Sequence, residues 1–231
     1  MSRTPLLLLP GLLCDEALWA AQIEGLADVA ETTVADLTQD DSVGAMAARA
    51  LAAAPPKFAL CSLSMGGYVA LEIMRQASGR VTRLALLDTS AKPDTEEKKA
   101  KRRALIDLSN RGRFKGVTPK LLPTLVAPAH ATGPIADVVL AMGERVGKEA
   151  FIRQQTAIMN RPDSRPTLTL IAVPTLVGVG AVDQLTPPPE AQEMHGLIAG
   201  SSLHVFGGAG HLPPLERPDE VTGVLRTWLT A

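Results

Sequence analysis

The fold is decided by the stretch Phe58-Ala-Leu-Cys-Ser-Leu-Ser-Met-Gly-Gly-Tyr-Val-Ala-Leu-Glu-Ile-Met74. An apolar, strand-like run ends at Leu63, and a run with helical periodicity follows after only a few small residues. A sharp turn must therefore lie at Ser64. In the nucleophile elbow, G-x-S-x-G, such a turn holds a serine in a strained backbone conformation, and its neighbours must be small because strand and helix crowd there. The pentapeptide Ser62-Leu-Ser-Met-Gly66 fits this pattern, with Ser62 in place of the first glycine.

Ser64 has a second interpretation, because serine is a favoured N-cap residue and a helix begins just after it. Gly66 and Gly67 favour the elbow, since two glycines at the start of a good helix former are costly unless something must approach the backbone closely. The elbow also places the amide of Met65 at a helix N-terminus, where it can donate a hydrogen bond to an oxyanion. We therefore predict Ser64 as a nucleophile and the Met65 amide as an oxyanion donor.

A serine nucleophile needs a base that titrates near neutral pH, so the histidines are the candidates. His211 is the best placed, because it lies in a glycine-rich loop after the last predicted strand, at the sheet edge where active sites collect. The other histidines are His130, His195 and His204. We expect these three to be surface or packing residues, and only His130 is placed where it could line the pocket.

The acid that orients the histidine should lie between the nucleophile and the histidine in chain order. Asp183 meets this requirement, because it follows a buried run in Gly178-Val-Gly-Ala-Val-Asp183. A carboxylate at this position would fix the tautomer of His211 and stabilise its charged form. Asp88 is the alternative acid, because it ends the preceding strand and could reach the same histidine. Its other interpretation is a cap or brace at the entry to the following segment.

A second oxyanion donor is expected in the loop after the first strand, Leu9-Pro-Gly-Leu-Leu-Cys-Asp15. Gly11 permits a tight turn there, and the amide of Leu12 can then face the pocket, with Leu13 as the nearest alternative. We interpret Cys14 as a small buried hydrophobe rather than a nucleophile, since no histidine is near it in the sequence.

Short apolar runs alternate with longer stretches of helical period along both ends of the chain. This alternation predicts an α/β fold, a mostly parallel doubly wound sheet of about six strands with helices on both faces, formed by residues 1–90 and 166–231. The predicted strands are Pro5–Leu9, Val29–Ala35, Phe58–Leu63, Leu84–Asp88, Pro174–Gly178 and Ser202–Phe206. The predicted helices of this core are Glu16–Leu26, Val43–Ala53, Gly66–Ala77, Pro189–Leu197 and Asp219–Thr230.

The middle of the chain, residues 91–165, has no convincing buried strand and is punctuated by glycines and prolines. We predict that it is an inserted helical lid. Its first helix should begin after Asp94, which can cap it in a capping box with Glu97. The basic run of this helix is Lys98, Lys99, Lys101, Arg102 and Arg103. We interpret the run as a solvated helix face, with attraction of an anionic substrate or carrier as the alternative.

The bulk composition argues against several classes of function. The 231 residues are 46% apolar, which suffices for a sizeable core without metal or disulfide staples. A formal charge of -1 gives no field that would favour nucleic acid or an anionic membrane surface. The apolar run Leu6–Leu9 is too short to span a bilayer and lacks a signal-peptide cleavage site. Cys14 and Cys61 lack the spacing of a zinc or redox site, which favours reduced thiols and a cytoplasmic protein.

Four segments together resemble the α/β-hydrolase superfamily, and the resemblance spans nearly the whole chain. They are Leu9-Pro-Gly-Leu12, Ser62-Leu-Ser-Met-Gly-Gly67, Gly178-Val-Gly-Ala-Val-Asp183 and Gly208-Ala-Gly-His-Leu-Pro-Pro-Leu-Glu-Arg-Pro218. The resemblance is closest to the small, lidded bacterial carboxylesterases typified by pimeloyl-acyl-carrier-protein methyl ester esterases. The chain departs from the family at Pro10, where a histidine is usual, at Ser62, and in having no antiparallel hairpin before the first strand.

The resemblance implies hydrolysis of small-molecule carboxylic esters, without cofactor or metal. In the family's pattern Ser64, Asp183 and His211 match the catalytic triad, and Leu12 and Met65 match the oxyanion donors. The alternatives are thioesterase, lactonase, carbon–carbon hydrolase or perhydrolase chemistry at the same site, and a ligand-binding or signalling protein that retains the triad. A dehalogenase would need aspartate at position 64, and a Rossmann dehydrogenase would need a glycine motif that is missing after the first strand. The sequence specifies no oligomeric state.

Overall fold

The computed structural model of the protein describes residues 3–231 and shows one six-stranded sheet in which every strand pair is parallel. The strand order is β2-β1-β3-β4-β5-β6. The strands are β1 Thr4–Leu9, β2 Ala30–Val34, β3 Phe58–Leu63, β4 Val81–Leu87, β5 Thr175–Gly180 and β6 Ser202–Phe206. All six predicted strands are therefore confirmed, with boundaries that differ by at most three residues.

Helices cover both faces of this sheet. In chain order they are α1 Ala20–Gly25, α2 Val43–Ala53, α3 Met65–Ala77, α4 Glu96–Leu108, α5 Leu122–Leu125, α6 Pro134–Met159, α7 Arg165–Leu168, α8 Pro188–Leu197, α9 Pro213–Glu216 and α10 Pro218–Thr230. A 3-10 turn, Glu16–Trp19, precedes α1, so the first predicted helix is two shorter pieces. Among the described residues, none of these helices is both long enough and apolar enough to cross a membrane.

The core consists of two apolar layers, one on each face of the sheet. One layer packs α2, α3 and α8 against the sheet through residues such as Met46, Val69 and Met194. The other layer packs the 3-10 turn Glu16–Trp19 and α10 against the sheet through Trp19 and Leu225. Strands β3 and β5 are buried along their whole length, as expected for a parallel sheet covered on both faces. The predicted doubly wound α/β fold is thus confirmed.

The segment between residues 91 and 165, which the structure describes throughout, contains helices and turns but no strand. The N-cap of its first helix was predicted wrongly. Thr95 caps α4 by accepting the amide of Lys98 at 3.3 Å. Asp94 is instead buried in an ion pair with Arg161, Nη1 to Oδ1 2.7 Å, and in a second with Arg102. A buried carboxylate needs charged partners more than the helix needs this cap, so the pairing prevails.

Candidate active site

The turn between β3 and α3 has the geometry of a nucleophile elbow. Ser64 lies there with φ 55° and ψ -115°, a backbone conformation that residues other than glycine rarely adopt. A Cβ on Gly66 would lie 2.3 Å from the carbonyl oxygen of Leu9, and one on Gly67 would lie 2.3 Å from Thr89 Oγ1. Both glycines are therefore required by crowding, as predicted. Ser62 is tolerated because its hydroxyl is buried and donates to the Ala85 carbonyl at 3.0 Å.

Ser64, His211 and Asp183 form a continuous hydrogen-bonded chain at the carboxyl edge of the sheet. The distance from Ser64 Oγ to His211 Nε2 is 2.8 Å, and from His211 Nδ1 to Asp183 Oδ2 it is also 2.8 Å. The three side chains come from the loops after β3, β6 and β5, which the strand order brings to one edge. A base that contacts the nucleophile and is held by an acid is the arrangement that activates a serine hydroxyl.

The surroundings of Asp183 favour its ionised form. Its Oδ1 accepts the amides of Leu185 at 2.8 Å and Thr186 at 3.2 Å, and its Oδ2 accepts the Thr186 hydroxyl at 2.7 Å. Burial by itself would raise the pKa of Asp183, but the hydrogen bonds from His211 and Thr186 outweigh it and lower the pKa to about 2. Asp183 is therefore a carboxylate at neutral pH.

Asp88, the alternative acid, lies next to Asp183 but has different contacts. Its backbone has φ 45°, and its Oδ1 accepts the Gly180 amide at 2.8 Å. Its Oδ2 is buried and has no hydrogen-bond partner among the described residues. Burial and the charge of Asp183 raise the pKa of Asp88 well above its usual range. Burial and the neighbouring charge both favour the protonated form of Asp88.

Asp88, Asp183 and His211 also form the one group in the described part of the chain whose chemistry would suit a metal ion, with ligand atoms within 4.8 Å of one another. Both ring nitrogens of His211 are engaged, by Ser64 and by Asp183. A metal ion at this place would have to displace one of these two contacts. The donor set therefore fits a hydrogen-bonded triad better than a metal centre.

The loop after β1 separates the two candidates for the second oxyanion donor. Leu13 has φ 58°, and its amide donates to Gln154 Oε1 of α6 at 3.1 Å. The amide of Leu12 makes no hydrogen bond with any other described residue. Met65 is the first residue of α3, so its amide has no acceptor within the helix. The amides of Leu12 and Met65 are therefore free to donate to a ligand, and their role as oxyanion donors stays a prediction.

Sequence reasoning missed Gln154 and Glu216, two buried polar residues that hold the loops of the site. Gln154 also donates to the carbonyl of Leu37 at 3.2 Å, so it links α6 to two loops of the core. Nothing in the amphipathic pattern of α6 marks Gln154. Glu216 carried a faint signal, because it is an acidic residue inside the largely apolar segment that follows His211.

Each of the remaining histidines contacts a partner outside the triad. His130 contacts Glu216 at 3.0 Å, His195 contacts Ser201 at 2.8 Å, and His204 contacts Glu220 at 3.0 Å. The two cysteines are unpaired and buried. Burial raises the pKa of Cys14 to about 12, so its thiol is a poor nucleophile.

Comparison with known proteins agrees with the fold. The family model described as "Alpha/beta hydrolase family" matches residues 6–224. The esterase of Photobacterium profundum named pimeloyl-acyl-carrier-protein methyl ester esterase is 24% identical over 210 residues, which are 82% of this chain and 77% of that protein. The chain belongs to the alpha/beta hydrolase family, in which a nucleophile–histidine–acid triad and an oxyanion hole are typical.

Similar solved structures narrow the enzyme class to which this chain belongs. A thermophilic esterase from Thermogutta terrifontis superposes with a TM-score of 0.89 at 31% identity, and the match covers 99% of this chain and 90% of that one. An esterase from Exiguobacterium antarcticum has a TM-score of 0.81 at 22% identity, covering 100% and 93%, which supports the fold alone. Within the family, the enzyme class of this chain is that of the carboxylic ester hydrolases.

Proposed function

We propose that this enzyme hydrolyses carboxylic esters of small molecules, with Ser64 as nucleophile, His211 as general base and Asp183 as the acid that orients it. The observation that carries the proposal is the pair of 2.8 Å contacts that joins Ser64 through His211 to Asp183. The low pKa of Asp183 supports its role, because an ionised carboxylate can fix the imidazole tautomer and stabilise the imidazolium that forms during attack.

The proposed reaction has two halves. Ser64 Oγ attacks the ester carbonyl carbon while its proton passes to His211 Nε2, and the amides of Leu12 and Met65 bind the oxyanion. The carbon–oxygen bond to the alcohol then breaks, and the alcohol leaves with the proton from His211. In the second half a water molecule gives a proton to His211 and attacks the acyl group on Ser64. The acid is released and Ser64 regains its proton.

The segment of residues 91–165 is proposed to act as the lid over this site. It contributes apolar residues to the core layer that also contains Cys14 and Leu63, namely Leu122, Val126, Ala136, Val139 and Met142. We therefore propose an apolar acyl or alcohol group in the substrate.

Cys14 and Cys61 are buried and unpaired, which supports the proposed cytoplasmic location.

The charges on α4 favour small-molecule esters over esters of an anionic carrier. Lys99 pairs with Glu96 at 2.9 Å, and Lys101 pairs with Glu97 at 2.7 Å. Arg102 pairs with the buried Asp94. Because most of the basic run is balanced by acidic residues on or beside the same helix, it supports the interpretation of a solvated face. The carrier-bound ester in the name of the Photobacterium relative is therefore not proposed as the substrate here.

The test uses a fluorophosphonate probe together with short p-nitrophenyl esters. Wild type should be labelled and should hydrolyse the esters, and Ser64→Ala should do neither. Ser62→Ala is the matched control, because this serine lies in the same pentapeptide but directs its hydroxyl to the Ala85 carbonyl. Labelling should survive that change. Absence of labelling in wild type, or labelling that persists in Ser64→Ala, would contradict the proposal.

A further inference from the structure

Glu216 is a buried carboxylate that the proposed reaction does not use. It is the last residue of α9, and its side chain has 0% exposure. Oε1 accepts the amide of Gly210 at 2.9 Å and the amide of Leu212 at 3.1 Å. These are the residues immediately before and after His211. One oxygen atom of Glu216 therefore fixes the backbone on both sides of the predicted base.

The second oxygen of the same carboxylate binds the segment of residues 91–165. Oε2 accepts the amide of Ala127 at 2.7 Å and lies 3.0 Å from His130 Nδ1. The two backbones are also in direct contact, because the amide of His211 donates to the Leu125 carbonyl at 3.0 Å. A Cβ on Gly210 would lie 2.7 Å from the Ala127 nitrogen. The predicted lid and the histidine loop are thus joined at one point.

Because Glu216 is buried, its contacts with the inserted segment and with the histidine loop are strong. A carboxylate removed from water is stable only when donors satisfy its oxygens, and here those donors come from two parts of the chain. If either part moved away, the charge would lose half of its partners. His211 must at the same time keep its contacts to Ser64 and Asp183. Displacement of a catalytic group by about 1 Å can cost about 100-fold in rate.

We propose that Glu216 is a positioning residue, which couples the segment of residues 91–165 to His211 by holding both backbones on one carboxylate. The inference rests on the proposed function, because it assigns Glu216 a role through the base of that reaction. In this view the part of the segment near Ala127 is a fixed component of the site, and its contact with Glu216 sets the placement of the His211 ring during turnover.

The experiment measures kcat and KM for p-nitrophenyl butyrate in Glu216→Gln, with thermal unfolding to establish that the variant is folded at the assay temperature. Glutamine keeps one acceptor oxygen for the loop amides but presents an amide group to Ala127. Glu220→Gln is the matched control, since Glu220 also pairs with a histidine, His204, at 3.0 Å, on a partly exposed surface. His130→Gln, alone and combined with Glu216→Gln, tests the part of the joint contributed by the inserted segment.

We expect Glu216→Gln to lower kcat by about 10-fold or more with KM changed by less than about threefold, because placement of the base affects the chemical step more than binding. His130→Gln should lower kcat by a smaller factor, and the two changes should be non-additive. Glu220→Gln should leave both constants unchanged. A purely structural role would lower the unfolding temperature but would not separate kcat from KM in the folded variant.

An unchanged kcat in folded Glu216→Gln, or a rise in KM alone, would overturn the inference. Equal losses in Glu216→Gln and Glu220→Gln would do so as well. If Glu216→Gln does not fold, His130→Gln decides the question, and an unchanged kcat in that variant overturns the coupling. Fluorophosphonate labelling of wild type and its loss in Ser64→Ala report on the proposed function independently, so failure of one is distinguishable from failure of the other.

Discussion

The loops after β4 and β5 each carry a buried aspartate, yet the pKa values of Asp88 and Asp183 are shifted in opposite directions. Asp183 receives two amides, a hydroxyl and the imidazole of His211. Asp88 receives one amide, from Gly180. Position at the sheet edge is therefore not what makes a carboxyl group the acid of the site. Burial and the charge of Asp183 raise the pKa of Asp88, whereas the hydrogen bonds to Asp183 outweigh its burial and lower its pKa.

Replacing Asp183 should have the largest effect. Asp183→Asn removes the charge that holds the His211 tautomer, and we expect kcat for p-nitrophenyl esters to fall by about 1,000-fold or more. Steady-state kinetics beside Asp88→Asn provide the measurement and its control. If only Asp88→Asn lowered kcat by orders of magnitude, Asp88 rather than Asp183 would be the acid of the site.

Removing one hydrogen-bond donor to Asp183 should have an intermediate effect on kcat. Thr186→Val keeps the shape of the side chain but removes the hydroxyl that donates to Asp183 Oδ2 at 2.7 Å. We expect kcat to fall by about 10-fold, the scale of one hydrogen bond to a charged group. Thr175→Val is the control, because that buried threonine donates to the Val173 carbonyl at the other end of β5. Equal losses in both variants would indicate that packing, rather than the contact to Asp183, is responsible.

Asp88→Asn should have the smallest effect on activity and a gain in stability. Asparagine is neutral, like the protonated form that the raised pKa of Asp88 favours, and can still accept the Gly180 amide, so kcat should stay within about threefold of wild type. Because the pKa of Asp88 is raised in the folded state, the unfolded chain releases this proton at a lower pH than the folded protein does. Stability therefore declines as pH rises above about 4, until Asp88 ionises in the folded state as well.

The asparagine side chain in Asp88→Asn would not titrate, so the variant should unfold at a higher temperature than wild type, and its advantage should be larger at pH 8 than at pH 5. Thermal unfolding at the two pH values measures this difference, which we expect to reach about 3 °C. An advantage that is absent at pH 8, or that is larger at pH 5, would show that Asp88 is ionised in the folded protein.

The sheet and the triad could be predicted because their signals are local. Apolar runs and turn residues mark the strands, and the glycines beside Ser64 mark the crowded elbow, where a Cβ on Gly66 would collide with Leu9. Parallel strands then bring Ser64, Asp183 and His211 to one edge without further information. The prediction that failed, Asp94 as a helix cap, had the right local signal. Arg161, distant in sequence, competes for the same carboxylate.

Patterns within a few residues were enough to predict the α/β order of elements, the edge at which the site forms, and Ser64 and His211 within it, while the acid stayed open between Asp183 and Asp88. The tertiary structure was needed to show that Asp183 and not Asp88 contacts His211, that Gln154 accepts the amide of Leu13, and that Glu216 joins the inserted segment to the histidine loop. These outcomes depend on the number of donors that reach a buried atom. Those donors come from parts of the chain that are far apart in sequence.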